Sequence, residues 1–183
     1  MRDCHCQLCG RLPATDPLSA AVVQKGWTVV TVPDEGPRPA YAYTVGLWHS
    51  FSHAEASVFG REEKEMIRWL DTVGGHVAAG RVLHPVSGER PQAPGGSGER
   101  PETPGGGPGG AVMGPAEVFP RPALASWHRH LFGTALDFYR GQPVPMLQLV
   151  WSDQHGVLPW EPGCAEGCLA AQPRLWDLSL IHI

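Results

Sequence analysis

Three groups of side chains in this sequence have the types and spacing to do chemistry. The first is the N-terminal run Cys4-His-Cys-Gln-Leu-Cys9. Within it Cys6 and Cys9 stand three apart, the spacing that lets two thiolates reach one tetrahedral ion. A second pair, Cys164 and Cys168, lies far along the chain with three residues between its members. Two such pairs could close a four-thiolate structural zinc site, tying the N-terminal segment to the C-terminal tail. The alternative is a set of reduced, unpartnered thiols. A thioredoxin-like role for Cys6 and Cys9 is disfavoured, because no βα unit surrounds them.

The second group is His49, His53 and Glu55. Two histidines four apart share one face if the backbone is helical, as in metal sites. Here the intervening residues read as a loop. A neutral imidazole beside a carboxylate would serve as a general base, so these residues, with Asp153, are the candidates for catalysis. The third group is aromatic. Tyr43, Trp48, Trp151 and Trp160 are candidate walls of a ligand pocket, with core packing as the other reading for Trp151. His128 and His130 flank Arg129 on a predicted helix and read as a solvated face.

The elements that must position these residues follow from patterning. Asp16-Pro17 opens a short helix, Asp as N-cap and Pro at the first helical position, closed by Gly26. Trp27–Val32 is β-branched and reads as a strand. Ala40–Leu47 alternates and pairs with it as a hairpin. Trp48–His53 reads as a loop, and Ala56–Phe59 as a third strand. Glu62–Ala79 is an amphipathic helix, with Met66, Ile67, Leu70, Val73 and Val77 on one stripe and acidic residues in its first turn. Arg81–His84 and Ala116–Phe119 read as short strands. Ser126 caps a second core helix through Phe138, stopped by Gly141. Pro145–Trp151 is apolar on both faces apart from Gln148, which predicts a central strand. Asp153-Gln-His-Gly156 is a tight turn, Val157–Trp160 returns from it, and the tail is irregular. The expected fold is α+β: about five to six strands in a largely antiparallel or mixed sheet, two main helices and a short N-terminal one.

Several segments in this order resemble a known bacterial family, the domain of unknown function family 4262. They are Gly26-Trp27 entering a strand, Tyr41–Leu47, His53-x-Glu55 leading to Val58–Gly60, and Leu147–Trp151 with Asp153, Gly156 and Pro159–Gly163. The resemblance spans roughly residues 16–173. It carries over no activity, because none is established for the family. Members usually have His-Pro-Glu where this chain has His53-Ala54-Glu55.

Two stretches stand outside the domain pattern. Residues 88–110 hold a tandem ten-residue Gly/Pro repeat with seven identical positions and no large apolar residue. Such a segment buries too little surface to offset its ordering entropy and is expected to be a disordered loop. Residues 178–183 match the in-frame translation of a transposon-type sequencing adapter, so the natural chain is expected to diverge near Asp177. The organisation read from sequence is therefore a Cys-rich segment over 1–15 and one α+β domain over 16–177, interrupted at 88–110.

Composition narrows the function classes. A formal charge of −4 over 183 residues gives no basic face for nucleic acid. No apolar run approaches the roughly 20 residues that span a bilayer. Five cysteines, an odd number, argue against a disulfide framework and for a reducing cytoplasm. The abundance of Gly, Pro, Ala and Arg suggests a high-GC bacterial genome. The favoured reading is a cytoplasmic, non-catalytic binding or accessory module. The rivals are a small hydrolase using His53 and Glu55, and a zinc-stabilised interaction domain. Substrate, partner and oligomeric state are not encoded legibly.

Overall fold

A computed structural model describes residues 4–10, 16–84, 111–113, 116–123 and 129–177. The repeat over 88–110, the proposed cap Ser126, Trp127, His128 and the stretch 178–183 lie outside the described residues.

Helix α1 (Pro17–Lys25) starts where the sequence says it should. The Asp16 side chain accepts a hydrogen bond from the Ser19 N–H at 2.9 Å, and Gly26 ends the helix in the left-handed region at φ 94°. Strands β1 (Thr28–Val32) and β2 (Tyr41–Val45) form the expected antiparallel hairpin, Thr28 opposite Val45 and Val32 opposite Tyr41. Helix α2 (Leu47–Phe51) follows directly. Strand β3 (Glu55–Phe59) returns antiparallel to β2. Helix α3 (Glu63–Ala78) buries Met66, Trp69, Leu70, Val73 and Val77. Strands β4 (Ala111–Met113) and β5 (Ala116–Ala123), helix α4 (Gly133–Phe138), strand β6 (Met146–Trp151) and helix α5 (Glu166–Ala171) complete the order.

The six strands run β1-β2-β3-β6-β5-β4 in one sheet. Every pairing is antiparallel except β3 with β6, which run parallel with Glu55 beside Met146 and Val58 beside Leu149. The fold is thus α+β with a mixed sheet. All six residues of β6 are buried, as the apolar run on both faces predicts for a central strand.

Alternation divides the core by sheet face. One face packs Ala42, Ala56, Val58, Leu149 and Trp151 against the α3 stripe, with Cys168 at its margin. The other packs Tyr41, Tyr43, Val45 and Met146 against Leu131, Phe132, Ala135, Phe138 and Tyr139, and Cys6 belongs to this second cluster. Each large apolar chain so buried stabilises by about 1.5–3 kcal/mol.

Four local expectations need correction. Trp48–Phe51 is helical rather than a loop, because Gly46 supplies a left-handed N-cap at φ 115° and Ser52 a left-handed C-cap at φ 54°. A Cβ at Gly46 would lie 2.8 Å from the Gly26 carbonyl oxygen and 2.9 Å from Val22, so glycine is required there. Arg81–His84 is irregular and pairs with no strand. The second core helix is short: a 3₁₀ turn at Arg129–Leu131 precedes α4, which begins only at Gly133. Residues 157–160 form no strand, and the tail contains α5.

Candidate metal centre

The N-terminal segment lies along the C-terminal end of α4. Gln7 fastens it: its N–H donates to the Phe138 carbonyl at 2.9 Å and its side-chain amide to the Asp137 carbonyl at 3.0 Å. The His5 N–H donates to Gln142 Oε1 at 3.0 Å. A 3₁₀ turn over Leu8–Gly10 folds the chain back. Cys4, Cys6 and Cys9 are thereby directed at a common point, and α2 brings His49 to the same point from the body of the domain.

The geometry there is specific. Cys6 Sγ lies 3.1 Å from His49 Nδ1, Cys9 Sγ 3.5 Å and Cys4 Sγ 3.7 Å. Cys6 and Cys9 sulfurs are 3.5 Å apart. All four donor atoms fall within 4.8 Å of one another. Tetrahedral zinc with Zn–S of about 2.3 Å and Zn–N of about 2.0–2.1 Å separates its ligands by about 3.5–3.8 Å. The Cys6–Cys9, Cys9–His49 and Cys4–His49 spacings fall in that range and the Cys6–His49 spacing is shorter. The donor set, three thiolates and one imidazole, is a recurrent structural zinc set.

The surroundings of the sulfurs favour the neutral thiol. Burial, reinforced by the neighbouring Cys6, pushes the Cys4 thiol up to about 12, and burial pushes Cys9 up as well. Burial lowers His49, which keeps its imidazole neutral and its lone pair available. A divalent cation at this point reverses the thiol preference and stabilises thiolates.

What holds His49 in place is Glu55. This carboxylate is wholly buried. Its Oε2 accepts from the Thr44 hydroxyl at 2.7 Å, and its Oε1 accepts from the Gly46 and Trp48 N–H groups at 3.0 Å each and from the Tyr139 hydroxyl. Two of these donors are amides at the start of α2, which has no intrahelical partner for them, and the Gly46 N–H also reaches the Tyr139 hydroxyl at 3.1 Å. Glu55 therefore pins the helix that carries His49 to β3 and to Tyr139. Burial raises the Glu55 carboxyl above its usual range, opposed by those hydrogen bonds. Burial, with the adjoining Glu55 charge, pushes the Tyr139 phenol up too.

The remaining sequence candidates do not join this point. Among the described residues the only group of three or more potential metal donors is Cys4, Cys6, Cys9 and His49. Cys164 and Cys168 lie elsewhere, Cys168 in the core of the opposite sheet face. The Gln172 amide donates to the Cys168 sulfur at 3.2 Å, and burial pushes that thiol up to about 12. The Cys164 thiol points to the Ala165 carbonyl. The four-thiolate pairing expected from spacing is replaced by one Cys-x-x-Cys pair with Cys4 and His49. Cys4 stands outside the Cys-x-x-Cys spacing, so spacing does not mark it as a ligand. Nothing in a linear sequence shows that His49 faces the N-terminus and not His53 and Glu55.

His53 and Glu55 lie at one end of the β3–β6 pair and Asp153 beyond the other. The His53 ring is buried, its Nδ1 2.8 Å from the Ala54 carbonyl while its Nε2 accepts from the Leu83 N–H at 3.1 Å. Both ring nitrogens are engaged with backbone. Asp153 lies beyond the far end of β6 from Glu55, since Glu55 pairs with Met146 and the strand runs on to Trp151, about 17 Å. Its carboxylate accepts from the N–H groups of His155, Val157 and Ala165, each at 2.9 Å, and these bonds lower its pKa. Asp153 organises a turn.

The aromatic candidates are divided as well. Tyr43 is buried edge-on to Phe132 at 5.2 Å. Trp151 donates through Nε1 to the Phe59 carbonyl and packs under Arg61. Trp48 is half-buried on α2. Trp160 stacks under the Arg121 guanidinium at 3.8 Å and meets Trp176 edge-on. Tyr43 belongs to one core cluster with Trp48 packed against it, Trp151 belongs to the other, and Trp160 packs on Leu158 apart from both.

Among the described residues no helix is long and apolar enough to cross a membrane. No curated protein and no solved structure matches the chain. The model of one family, described as a domain of unknown function, matches residues 21–165. The match takes in His49, Glu55 and the sheet and excludes Cys4, Cys6 and Cys9. On that match, which covers well over half its length, the chain belongs to the DUF4262 family.

Proposed function

We propose that this chain is a non-catalytic binding or accessory module of the bacterial cytoplasm, stabilised by a structural zinc ion held by Cys4, Cys6, Cys9 and His49. One observation carries the reading: four donor atoms, three from a terminal segment and one from the domain body, converge within 4.8 Å. Three thiolates and an imidazole complete a tetrahedron. A closed site of this kind contributes folding energy and leaves no position for substrate. Its role is to cross-link residues 4–10 to α2 across a gap of some forty residues in sequence, so that the segment becomes part of the surface presented to a partner.

The non-catalytic part rests on the buried polar groups. Glu55, His53 and Asp153 each serve backbone or neighbouring donors and acceptors, and Asp153 does so at the far end of the β3–β6 pair from the other two. A catalytic constellation needs them to converge on one accessible point.

Metal analysis of the full chain, purified without chelator, tests the reading. One zinc per chain, with a melting temperature that falls on chelation and recovers on adding zinc, is the expected result. A metal-free protein whose melting is unaffected by zinc ends it.

A further inference from the structure

The same four ligands differ sharply in exposure. Cys6 is fully buried, Cys4 and His49 are intermediate, and Cys9 is exposed. The Cys9 sulfur stands 3.5 Å from that of Cys6. A disulfide bond is about 2.05 Å long, so a modest approach of one exposed and one buried sulfur makes it. We propose that Cys6 and Cys9 are a site of oxidative modification, in which a hydroperoxide converts them to a disulfide and expels the zinc. This rests on the zinc reading for its metal step, while the disulfide step stands on the sulfur geometry alone. It asks nothing of a thioredoxin-like active site: the pair is consumed once per oxidation and restored by reductant.

The chemistry balances with hydrogen peroxide as the oxidant. The Cys9 thiolate attacks one peroxide oxygen and the O–O bond breaks, giving Cys9 sulfenic acid and hydroxide. The Cys6 thiolate then attacks the Cys9 sulfur, forming the S–S bond and releasing a second hydroxide. Two protons from solvent convert both hydroxides to water. In sum, two thiolates lose two electrons and one peroxide gains them. The order follows from access: peroxide meets Cys9 first, and Cys6 is positioned to resolve the sulfenic acid.

The consequence is structural. A disulfide removes two of four ligands, leaving Cys4 and His49, and two ligands hold zinc far more weakly than four. The segment is then held by the three hydrogen bonds of His5 and Gln7 to Gln142, Phe138 and Asp137 and by the packing of Cys6 and Leu8 on the core. Cys168 meets the neighbouring Cys164 thiol, but among the described residues that pair gathers no third or fourth donor. Cys168 is buried with its sulfur beside Gln172.

The test uses the full zinc-loaded chain titrated with hydrogen peroxide. Three readouts run in parallel: zinc captured by a chromogenic chelator, intact mass, and peptide mapping of disulfides. The expected result is one zinc released per chain, in step with a mass loss of two hydrogens mapped to a Cys6–Cys9 link. Dithiothreitol with added zinc reverses both. The C164S/C168S double variant responds identically, and C9S forms no N-terminal disulfide. Over-oxidation of Cys9 without a link, or a link at Cys164–Cys168 in its place, overturns the proposal. So does retention of zinc after the Cys6–Cys9 bond has formed. If the chain never binds zinc, the metal reading fails by itself, and mass mapping of the metal-free chain still decides whether the Cys6–Cys9 bond forms.

Discussion

Two pairs of closely spaced cysteines occupy opposite faces of one sheet, and they meet different fates. Cys6 and Cys9 sit on a segment that folds back at Leu8–Gly10, so their sulfurs point the same way and meet Cys4 and the imidazole of His49. Cys164 and Cys168 straddle the start of a short helix, where Cys168 turns into the apolar core beside Trp151. Spacing within a pair is therefore a poor guide to ligation. What decides is whether the rest of the fold delivers a third and a fourth donor to the same point. For the N-terminal pair that delivery depends on α2, and α2 depends on Glu55.

The comparison can be broken most severely at the ligands. C6S or H49A removes one of four donors, with loss of stoichiometric zinc and a fall in melting temperature of about 10 °C, the equivalent of roughly 3–5 kcal/mol for a domain of this size. C164S leaves the zinc content unchanged. Metal analysis paired with calorimetry separates the two, and equal zinc loss from both pairs would erase the contrast between them.

Next in size is the support of α2. E55A removes the acceptor of four hydrogen bonds, and the Tyr139 hydroxyl and Trp48 N–H lose the partner they have there, each such orphan costing about 1–3 kcal/mol before relaxation. Urea unfolding should show a loss of several kcal/mol, and zinc affinity should fall although no ligand has changed. Full zinc affinity in a folded E55A protein would show that His49 is positioned by something else. The pH dependence carries a sign as well. Because the folded Glu55 carboxyl titrates above its usual value, its contribution is complete below the unfolded value. It is lost as pH rises through the folded one. E55Q removes that component.

Asp153 gives the opposite slope and a smaller effect. Its folded pKa is depressed by the Ala165, Val157 and His155 N–H groups, so its contribution holds above the ordinary carboxylate value. It disappears as pH falls through the folded one. D153N should lower the melting temperature at neutral pH, converge with the parent protein in acid, and leave zinc bound. Persistence of the difference in acid would mean the carboxylate charge is not the cause.

The smallest effect belongs to His53. H53A removes the acceptor for the Leu83 N–H and costs about 1 kcal/mol. Hydrogen exchange should quicken near Leu83 and nowhere close to Cys6. A change at the metal centre would tie His53 to the site after all.

These contrasts also explain what could be read from sequence. The sheet and α3 were legible because burial imposes period 2 on Tyr41–Val45 and period 3.6 on Met66–Val77. The centrality of β6 was legible from its unbroken apolar run. Helix α2 was not, since its ends are made by backbone conformations at Gly46 and Ser52 and its N-terminal amides are satisfied by Glu55, eight residues downstream of Leu47. The thiol pair at Cys6 and Cys9 was visible from spacing. Its partners were not, because Cys4 joins only through the turn at Leu8–Gly10 and His49 only through the packing of α4 under the terminal segment. The catalytic reading of His53 and Glu55 arose from proximity in sequence. In the fold they serve different neighbours, His53 ahead of β3 holding Leu83 and Glu55 at the start of β3 holding α2.

The most direct test is X-ray absorption at the zinc K-edge of the full chain loaded with one equivalent of zinc. The account predicts three sulfur neighbours at about 2.3 Å and one imidazole nitrogen at about 2.0–2.1 Å. A shell of four sulfurs, or one of oxygen and nitrogen with fewer than three sulfurs, would contradict it.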